Sequence, residues 1–326
     1  MRGILKPILH PILRRNPAEV ERQARHFHIG SAEGRSLVAK VGDAFFRGYN
    51  TMLDASSAQD VSAQGQKVEP HFRPFFFEGA AMGYLPRSYF TAGAGRKTVE
   101  RDLLAMNPRF RYLYYVGLGF WFGFRHRRKP AALEALAPDL TALYFPLCYD
   151  GFGFKVGFFD FPRRPSARDL LGRAPVERRA FLYQGFGRAL FFVFLDDPAG
   201  FEREKAEAPE AHRDDIELGR SLAVAFTGTN RPDRILAYLA AARDARERAA
   251  RLLGVTWALT AREMNDPEYF EECVGRASTG EQKLLRLLPA LCREALGRSH
   301  SYAEWQGRTQ AAAVEAYAGG TEVKER

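Results

Sequence analysis

A motif of glycine and aromatic residues returns along this chain at a fixed interval: YVGLG from Tyr115, YDGFG from Tyr149 and YQGFG from Tyr183. The second glycines of the three copies, Gly119, Gly153 and Gly187, are 34 residues apart at each step. A catalytic motif has no reason to recur on a period, whereas a structural unit that buries its apolar face against the next unit does. The interval predicts an all-α helical-repeat protein with units of roughly 34 residues, solenoid-like or curved toward a toroid. Weaker copies extend the pattern. FEGAAMG places Gly79, and VGDAFFRGY places Gly42, in the position of Gly117; IELGRSL places Gly219 in the position of Gly187, and LLGVTW continues the series at Gly254.

Each glycine pair is followed by an apolar run and then a polar or proline-containing break, as in GFWFGF before RHRRKP and GRALFFVFL before DDP. Short helical patterns follow, such as AALEALAPDL from Ala131 and SARDLLGRAP from Ser166, which leaves room for two short helices per unit. A strand is the rival reading of FGFKVGFFDF, because aromatics favour strands and glycine costs a helix about 1 kcal/mol against alanine. The Ala-, Leu- and Arg-rich span from Asp233 to Thr260 tips the balance to helix. Within helices, Gly79 and Gly83, Gly119 and Gly123, and Gly153 and Gly157 are four apart and share a face, forming a trough that a neighbouring backbone can approach. At Gly187 the later site is Phe191, so that unit is expected to pack more widely or to leave an aromatic ring in a cavity.

With 326 residues the chain can bury a large core, and stacked units can remain one body at that length. The expected organisation is an N-terminal arm over 1–30, a single helical-repeat domain over 31–318 and a flexible tail over 319–326. Positions 54–71 read as a polar connection and Phe201 to Asp215 as solvated helix and turn. Cys148, Cys273 and Cys292 are widely spaced, which argues against a zinc site or disulfide scaffold and fits a reducing compartment. The pair His26 and His28 has no metal-ligand company, so no metal and no cofactor are expected. Pro7 and Pro11 divide the N-terminal apolar run, against a secretory signal. The most apolar stretch, Tyr112 to Phe124, is too short for the roughly 20 residues a spanning helix needs, and reads as a buried element.

The residue before the first glycine of each copy is Glu78, Val116, Asp150 or Gln184. If the copies superimpose, these side chains line one surface, and an acid held among apolar neighbours has a raised pKa and can serve as proton donor or base. Asp150 and Glu78 are therefore the candidate catalytic residues, against the plainer account that they cap helices. Tyr115, Trp121, Tyr149, Phe152 and Tyr183 are candidate ligand-binding aromatics, against the plainer account that they fill the core. Gln184 and Arg188 complete the candidate ligand-binding set; Arg73, Arg111 and Arg179 are further basic candidates, and GRAL at Arg188 looks like the same local element as GRSL at Arg220. A guanidinium at these places binds a carboxylate or phosphate, or forms an ordinary salt bridge.

Walker, GxSxG and HExxH motifs are absent, and the GxG pairs lack a dinucleotide-binding context. Asp196 and Asp197 precede Pro198, which reads as a helix boundary rather than a metal motif. The cluster Arg125 to Lys129 stands without a recognition helix, so nucleic acid is not an expected partner. The formal net charge of +9 is compatible with acidic partners in general.

The ordered set FFFEGAAMG, YYVGLGFWFG, YDGFGFKVGFF and YQGFGRALFF resembles an uncharacterised bacterial family, domain of unknown function seventeen-hundred-and-two, from near Arg35 to near Ala318. Members of that family often occur with enediyne polyketide biosynthesis. The resemblance implies a cytoplasmic accessory protein of secondary metabolism and transfers no catalytic residues. Two functions follow as expectations. One is an enzyme that holds a hydrophobic polyketide- or terpene-like chain among aromatics, with Asp150 or Glu78 supplying acid–base chemistry. The other is a non-catalytic carrier, protective or scaffold protein that shields such a chain or docks a polyketide synthase or its carrier protein. An inward-facing acid in a closed apolar chamber favours the first; an open groove with arginines on its rim favours the second.

Overall fold

The computed structural model describes residues 11–88 and 98–322, whose regular secondary structure is all helical, with no strand among them. The first ten residues of the arm and residues 323–326 of the tail lie outside the described residues. In chain order the helices are α1 (Ala18–Ala24), α2 (Ala32–Asp54), α3 (Ala58–Gln66), α4 (Arg73–Ser88), α5 (Val99–Leu104), α6 (Arg111–Arg125) and α7 (Pro146–Lys155). They continue with α8 (Arg179–Val193), α9 (Pro198–Glu207), α10 (Arg213–Thr227), α11 (Pro232–Ala240), α12 (Ala245–Asn265), α13 (Pro267–Val274), α14 (Thr279–Gly297) and α15 (Tyr302–Glu322).

The stretch FGFKVGFFDF is α7 and the π-helical turn Val156–Asp160 that ends it. Helices α2, α4, α6, α7, α8, α10 and α12 each pack against the next in that order. Pro74 to Pro86 of α4 and Leu113 to Gly123 of α6 are buried on every side, the mark of helices with neighbours all round. Glycine permits this. A β-carbon on Gly117, Gly151, Gly185, Gly219 or Gly254 would sit closer than 3.0 Å to a carbonyl oxygen of the preceding helix, on Glu78, Val116, Asp150, Gln184 and Leu218 respectively. Two residues on, Gly119, Gly153 and Gly187 meet the carbonyls of Cys148, Leu182 and Ile216 on the following helix. Residues two apart point to opposite sides of a helix, so each GxG lets one helix approach both neighbours at backbone distance. The pairs four apart share a face, as expected: Gly119 and Gly123 both face α7, and Gly79 and Gly83 both face α2.

Of the flanking copies, Gly79 meets the preceding helix at the carbonyl of Phe45, in the register of Gly117 as expected, and the others depart from the sequence reading. Gly219 meets the preceding helix, as Gly185 does, so it matches Gly185 and not Gly187. In α2 it is Gly48, against the carbonyl of Phe76, that makes the interhelix contact, while Gly42 packs on the side chain of Val20 in α1. At Gly187 the helices remain at backbone distance, and Phe191 lines a pocket beside Leu195.

Connecting segments begin with helix-starting chemistry. Pro130 and Pro165 open 3-10 segments, where short helices were expected, and Pro198 and Pro232 open α9 and α11. Asp197 caps α9 through the Gly200 amide, consistent with the boundary reading of Asp196 and Asp197. The connection at 54–71 is itself helical, because Ser57 and Asp60 form a capping box that starts α3. Nor is Phe201 to Asp215 merely solvated: Lys205 is buried against Glu217 at 2.6 Å, within a network that also joins Arg251, Glu247 and Tyr238. The span Asp233 to Thr260 is two helices, divided where Asp244 caps α12.

The end of α12 comes back to the segments around the start of α4 and of α6. Arg262 of α12, buried, donates to the carbonyls of Phe226 at the end of α10 and of His71 before α4. Arg73 pairs with Asp266 at 2.9 Å, and Asn265 donates to the carbonyl of Arg109. Beyond α13, α14 and α15 pair and pack on α12, and α15 continues through Glu322 into the expected tail. No helix among the described residues is long and apolar enough to cross a membrane.

The glycine contacts predict opposite effects at two sites. Gly185→Ala should lose about 3 kcal/mol, because its β-carbon must displace the Asp150 backbone. Gly307→Ala, in α15 with nothing within 4 Å, should gain up to about 1 kcal/mol from helix propensity. Urea midpoints of the two variants against the parent check both.

Candidate functional site

Helices α4, α7 and α8 bring four polar side chains into one buried cluster. Arg188 donates Nη1 to Asp150 at 2.5 Å and faces Glu78 through Nη2 at 3.5 Å; Gln184 donates Nε2 to the other Asp150 oxygen at 2.8 Å. Arg188 and Gln184 share a face because they are four apart on α8. Tyr302, from α15, lines the same cavity wall as Gln184 and Asp150 and brings the C-terminal helices to the cluster. Burial pushes Glu78 up to about 7; Arg188 opposes the shift and Asp150 adds to it. Burial also raises Asp150, against the pull of Arg188 and the Gln184 hydrogen bond. One guanidinium cannot neutralise two buried carboxylates, so a proton on one of them completes the balance. The closer Arg188–Asp150 contact assigns that proton to Glu78.

Apolar space lies on both sides of this cluster. A cavity of about 80 Å³ is walled by Phe75, Phe226, Trp257, Tyr302 and Trp305, together with Tyr112. A second, of about 50 Å³, runs between α2, α6, α7 and α8 among Phe45, Phe120, Phe154 and Phe158. Both are bounded by Phe75, Glu78, Arg188 and Phe192, which places the ionic cluster between them. Trp257, Tyr302 and Trp305 pack edge and face at 5.3–5.6 Å, and the Trp257 indole N–H has no hydrogen-bond partner. It is a donor available to a ligand at the cavity wall. Among the described residues no group of three or more His, Cys, Asp or Glu is placed to hold a metal ion.

Of the residues singled out from sequence, Glu78, Asp150, Gln184 and Arg188 come together. The aromatic candidates lie elsewhere. Tyr115 donates to Glu100 at 2.5 Å and Tyr149 to Glu134 at 2.8 Å, on the side of the connecting segments, and Tyr183 stacks on His212. Trp121 and Phe152 are buried but line neither cavity. Arg73 is held by Asp266, Arg179 by the carbonyl of Ala174, and Arg111 lies over the Tyr144 ring. Arg220 is not the counterpart of Arg188: it faces outward to Glu202 and the Phe201 ring.

The cavity aromatics were missed, though a signal for them exists. The inner stripe falls four before, one before, three after and seven after the first glycine, the spacing of one helix face. Around Gly185 it selects Gln184, Arg188 and Phe192; around Gly254, Trp257 and Ala261; around Gly79, Phe75 and Glu78. The tyrosines two before the glycine point away from it.

The molecule is thus an all-α protein with a buried acid–arginine cluster in an aromatic interior. The family described as "Protein of unknown function (DUF1702)" matches residues 4–279, and the chain belongs to that family. No curated protein and no solved structure matches it. The family match ends at the first residue of α14, so the cavity residues Cys292, Tyr302 and Trp305 stand beyond it.

The raised carboxyl predicts a pH dependence of stability. In the folded chain Glu78 binds its proton up to about pH 7, whereas unfolded it releases it near its ordinary value of 4.5. The folded state therefore holds the extra proton between these values, and stability from this group is full below 4.5 and lost as pH rises through 7. Glu78→Gln should flatten that decline, by an amount on the order of a few kcal/mol. Urea midpoints of both proteins across pH 4–8 measure it; parallel curves would place the extra proton elsewhere.

Proposed function

We propose that this protein is an accessory enzyme of secondary metabolism, of the kind that accompanies enediyne biosynthesis, acting in the cytoplasm on a hydrophobic polyketide- or terpene-like chain. The observation that supports catalysis is the inward-facing acid in an apolar chamber: Glu78 and Asp150 on Arg188, with aromatic walls on both sides. A linear chain that widens the two cavities and joins them on binding passes the cluster near its middle. Glu78 donates its proton to one carbon of a double bond, and positive charge develops on the adjacent carbon. The ring faces of Phe75, Phe226 and Trp257 and the new Glu78 carboxylate stabilise that charge. Loss of a proton from a neighbouring carbon to Glu78 restores the acid, and the chain leaves isomerised or cyclised with no net gain of atoms. Asp150, held by Arg188 and Gln184, stays ionised and fixes the guanidinium beside Glu78.

The same reading takes the layer of helices as a helical-repeat architecture of roughly 34-residue units, curved toward a toroid. It is supported by the placing of Gly117, Gly151, Gly185 and Gly219, which meet the preceding helix in the same way at a spacing of 34 residues. Repetition would explain the chamber, since each unit supplies one stripe to a shared interior.

Two measurements test the function. The uncharged polyene diphenylhexatriene should bind and quench Trp257 and Trp305 by energy transfer in the parent, in Glu78→Gln and in Asp150→Asn. An apolar extract of the host cells incubated with protein in deuterium oxide should yield a deuterated product by mass spectrometry. Glu78→Gln should slow its formation by about 100-fold or more. Undiminished turnover in both variants would overturn the site assignment, and binding without any transformation would leave the non-catalytic carrier or scaffold for a synthase as the function.

A further inference from the structure

The rim where α6 and α7 end is densely basic. Arg125 closes α6, with Arg127, Arg128 and Lys129 directly after it; Arg163 and Arg164 follow the π turn of α7; Arg22 and Arg25 stand on α1. All eight are exposed. The three segments are contiguous in space. Gln23 of α1 donates to the Phe158 carbonyl at 2.7 Å, and Phe124 of α6 packs on Phe159 at 5.1 Å. Arg127 and Arg164 are both near enough to the buried Lys155 to lower its pKa, after burial itself and against the pull of Asp160.

Many basic side chains elsewhere are matched, as Arg168 is by Glu204 and Glu207 and Arg243 by Glu202 and Glu247, and those without an ion pair among the described residues, such as Arg173 and Arg248, are not gathered in such a group. Among the described residues none of the eight rim cations is in an ion pair. Cations at helix C-termini offset the helix dipole, each by about 0.3–1 kcal/mol, but two helix ends need only a few of them. Eight unpartnered cations repel one another and are better explained by an anion that visits.

The smaller cavity belongs to the same segments. Val20 of α1 and Phe158 and Phe159 of the π turn line it, and its inner end is Glu78 and Arg188. A polyanion without an apolar part would use the rim and leave this cavity unused. We infer that the ligand is an apolar chain with an anionic end group, a carboxylate or phosphate, which the rim holds while the chain extends through the smaller cavity to Glu78. This rests on the proposed binding of an apolar chain and adds its polarity and direction of entry.

The test compares two fluorescent probes of identical chain on the full-length protein, cis-parinarate and its methyl ester. At low salt the anion should bind the parent about tenfold more tightly than the ester, an advantage that high salt removes. The charge reversal Arg127→Glu with Arg128→Glu and Arg164→Glu should abolish the advantage and leave ester binding unchanged. Equal affinity of acid and ester for the parent, or equal loss of both in the variant, overturns the rim as the anion site. Failure of both probes to bind the parent overturns the apolar-chain reading itself, a different result from equal binding. Dodecanoate and dodecyl phosphate as competitors tell carboxylate from phosphate: displacement by either supports the inference, and displacement by neither overturns it.

Discussion

The structure depends on helix backbones touching. At Gly117, Gly151, Gly185 and Gly219 one helix lies so close to the last that any β-carbon would collide with a carbonyl oxygen, and Gly119, Gly153 and Gly187 repeat the condition toward the next. Two glycines per helix sacrifice about 2 kcal/mol of helix propensity against alanine. Close approach returns dispersion contacts along the whole interface and leaves little latitude in the angle between neighbours. Rotation of a helix about its axis is blocked on both sides. The inner stripe is fixed as a result, and so is the set of side chains that meets inside.

That fixity makes a buried ionic cluster tolerable. Removing Arg188, Asp150 and Glu78 from water is costly, and the cost is met only where each charge finds its partner in good geometry. Three different helices must hold their register for Arg188 to reach both acids and for Gln184 to occupy the remaining Asp150 oxygen. Aromatic walls on either side exclude water and strengthen these attractions, at the same time driving Glu78 to retain its proton. A packing arrangement that looks purely architectural thereby sets the protonation state of the one acid facing both cavities.

Much of this was legible in the sequence, for identifiable reasons. Glycine period and helix type were readable because a backbone contact imposes a residue that nothing else can replace. Glu78, Asp150, Gln184 and Arg188 were found because polar residues beside those glycines are conspicuous among aromatics. Tyr115, Tyr149 and Tyr183 are equally conspicuous, yet they stand away from both cavities. They recur in phase, but two positions before the glycine lies the outer face, where their hydroxyls bind Glu100 and Glu134 or the ring meets His212. GRAL and GRSL are alike in sequence, but Gly187 meets the following helix and Gly219 the preceding one, so the likeness is two residues out of register with the contact. Tyr302 and Trp305 were beyond reach, since no period leads to α15 and only the tertiary fold brings it over the cavity. The helix α3 was hidden by polarity, although Ser57 and Asp60 state its start.

Arg262 shows how the enclosure is finished. Successive helices meet backbone to backbone, but the end of α12 reaches the start of α4 through side chains, and a guanidinium without a carboxylate stands at the centre of that meeting. Its charge is carried by two peptide carbonyls and by the ring of Phe226 at 4.0 Å. The meeting of α12 with the start of α4 is therefore made by side chains, Arg262 together with the Arg73–Asp266 pair and Asn265, where the other neighbours meet by backbone. A joint made of a few side chains can part and re-form without drawing any helix through its neighbour, a freedom that helices in contact at their glycines lack.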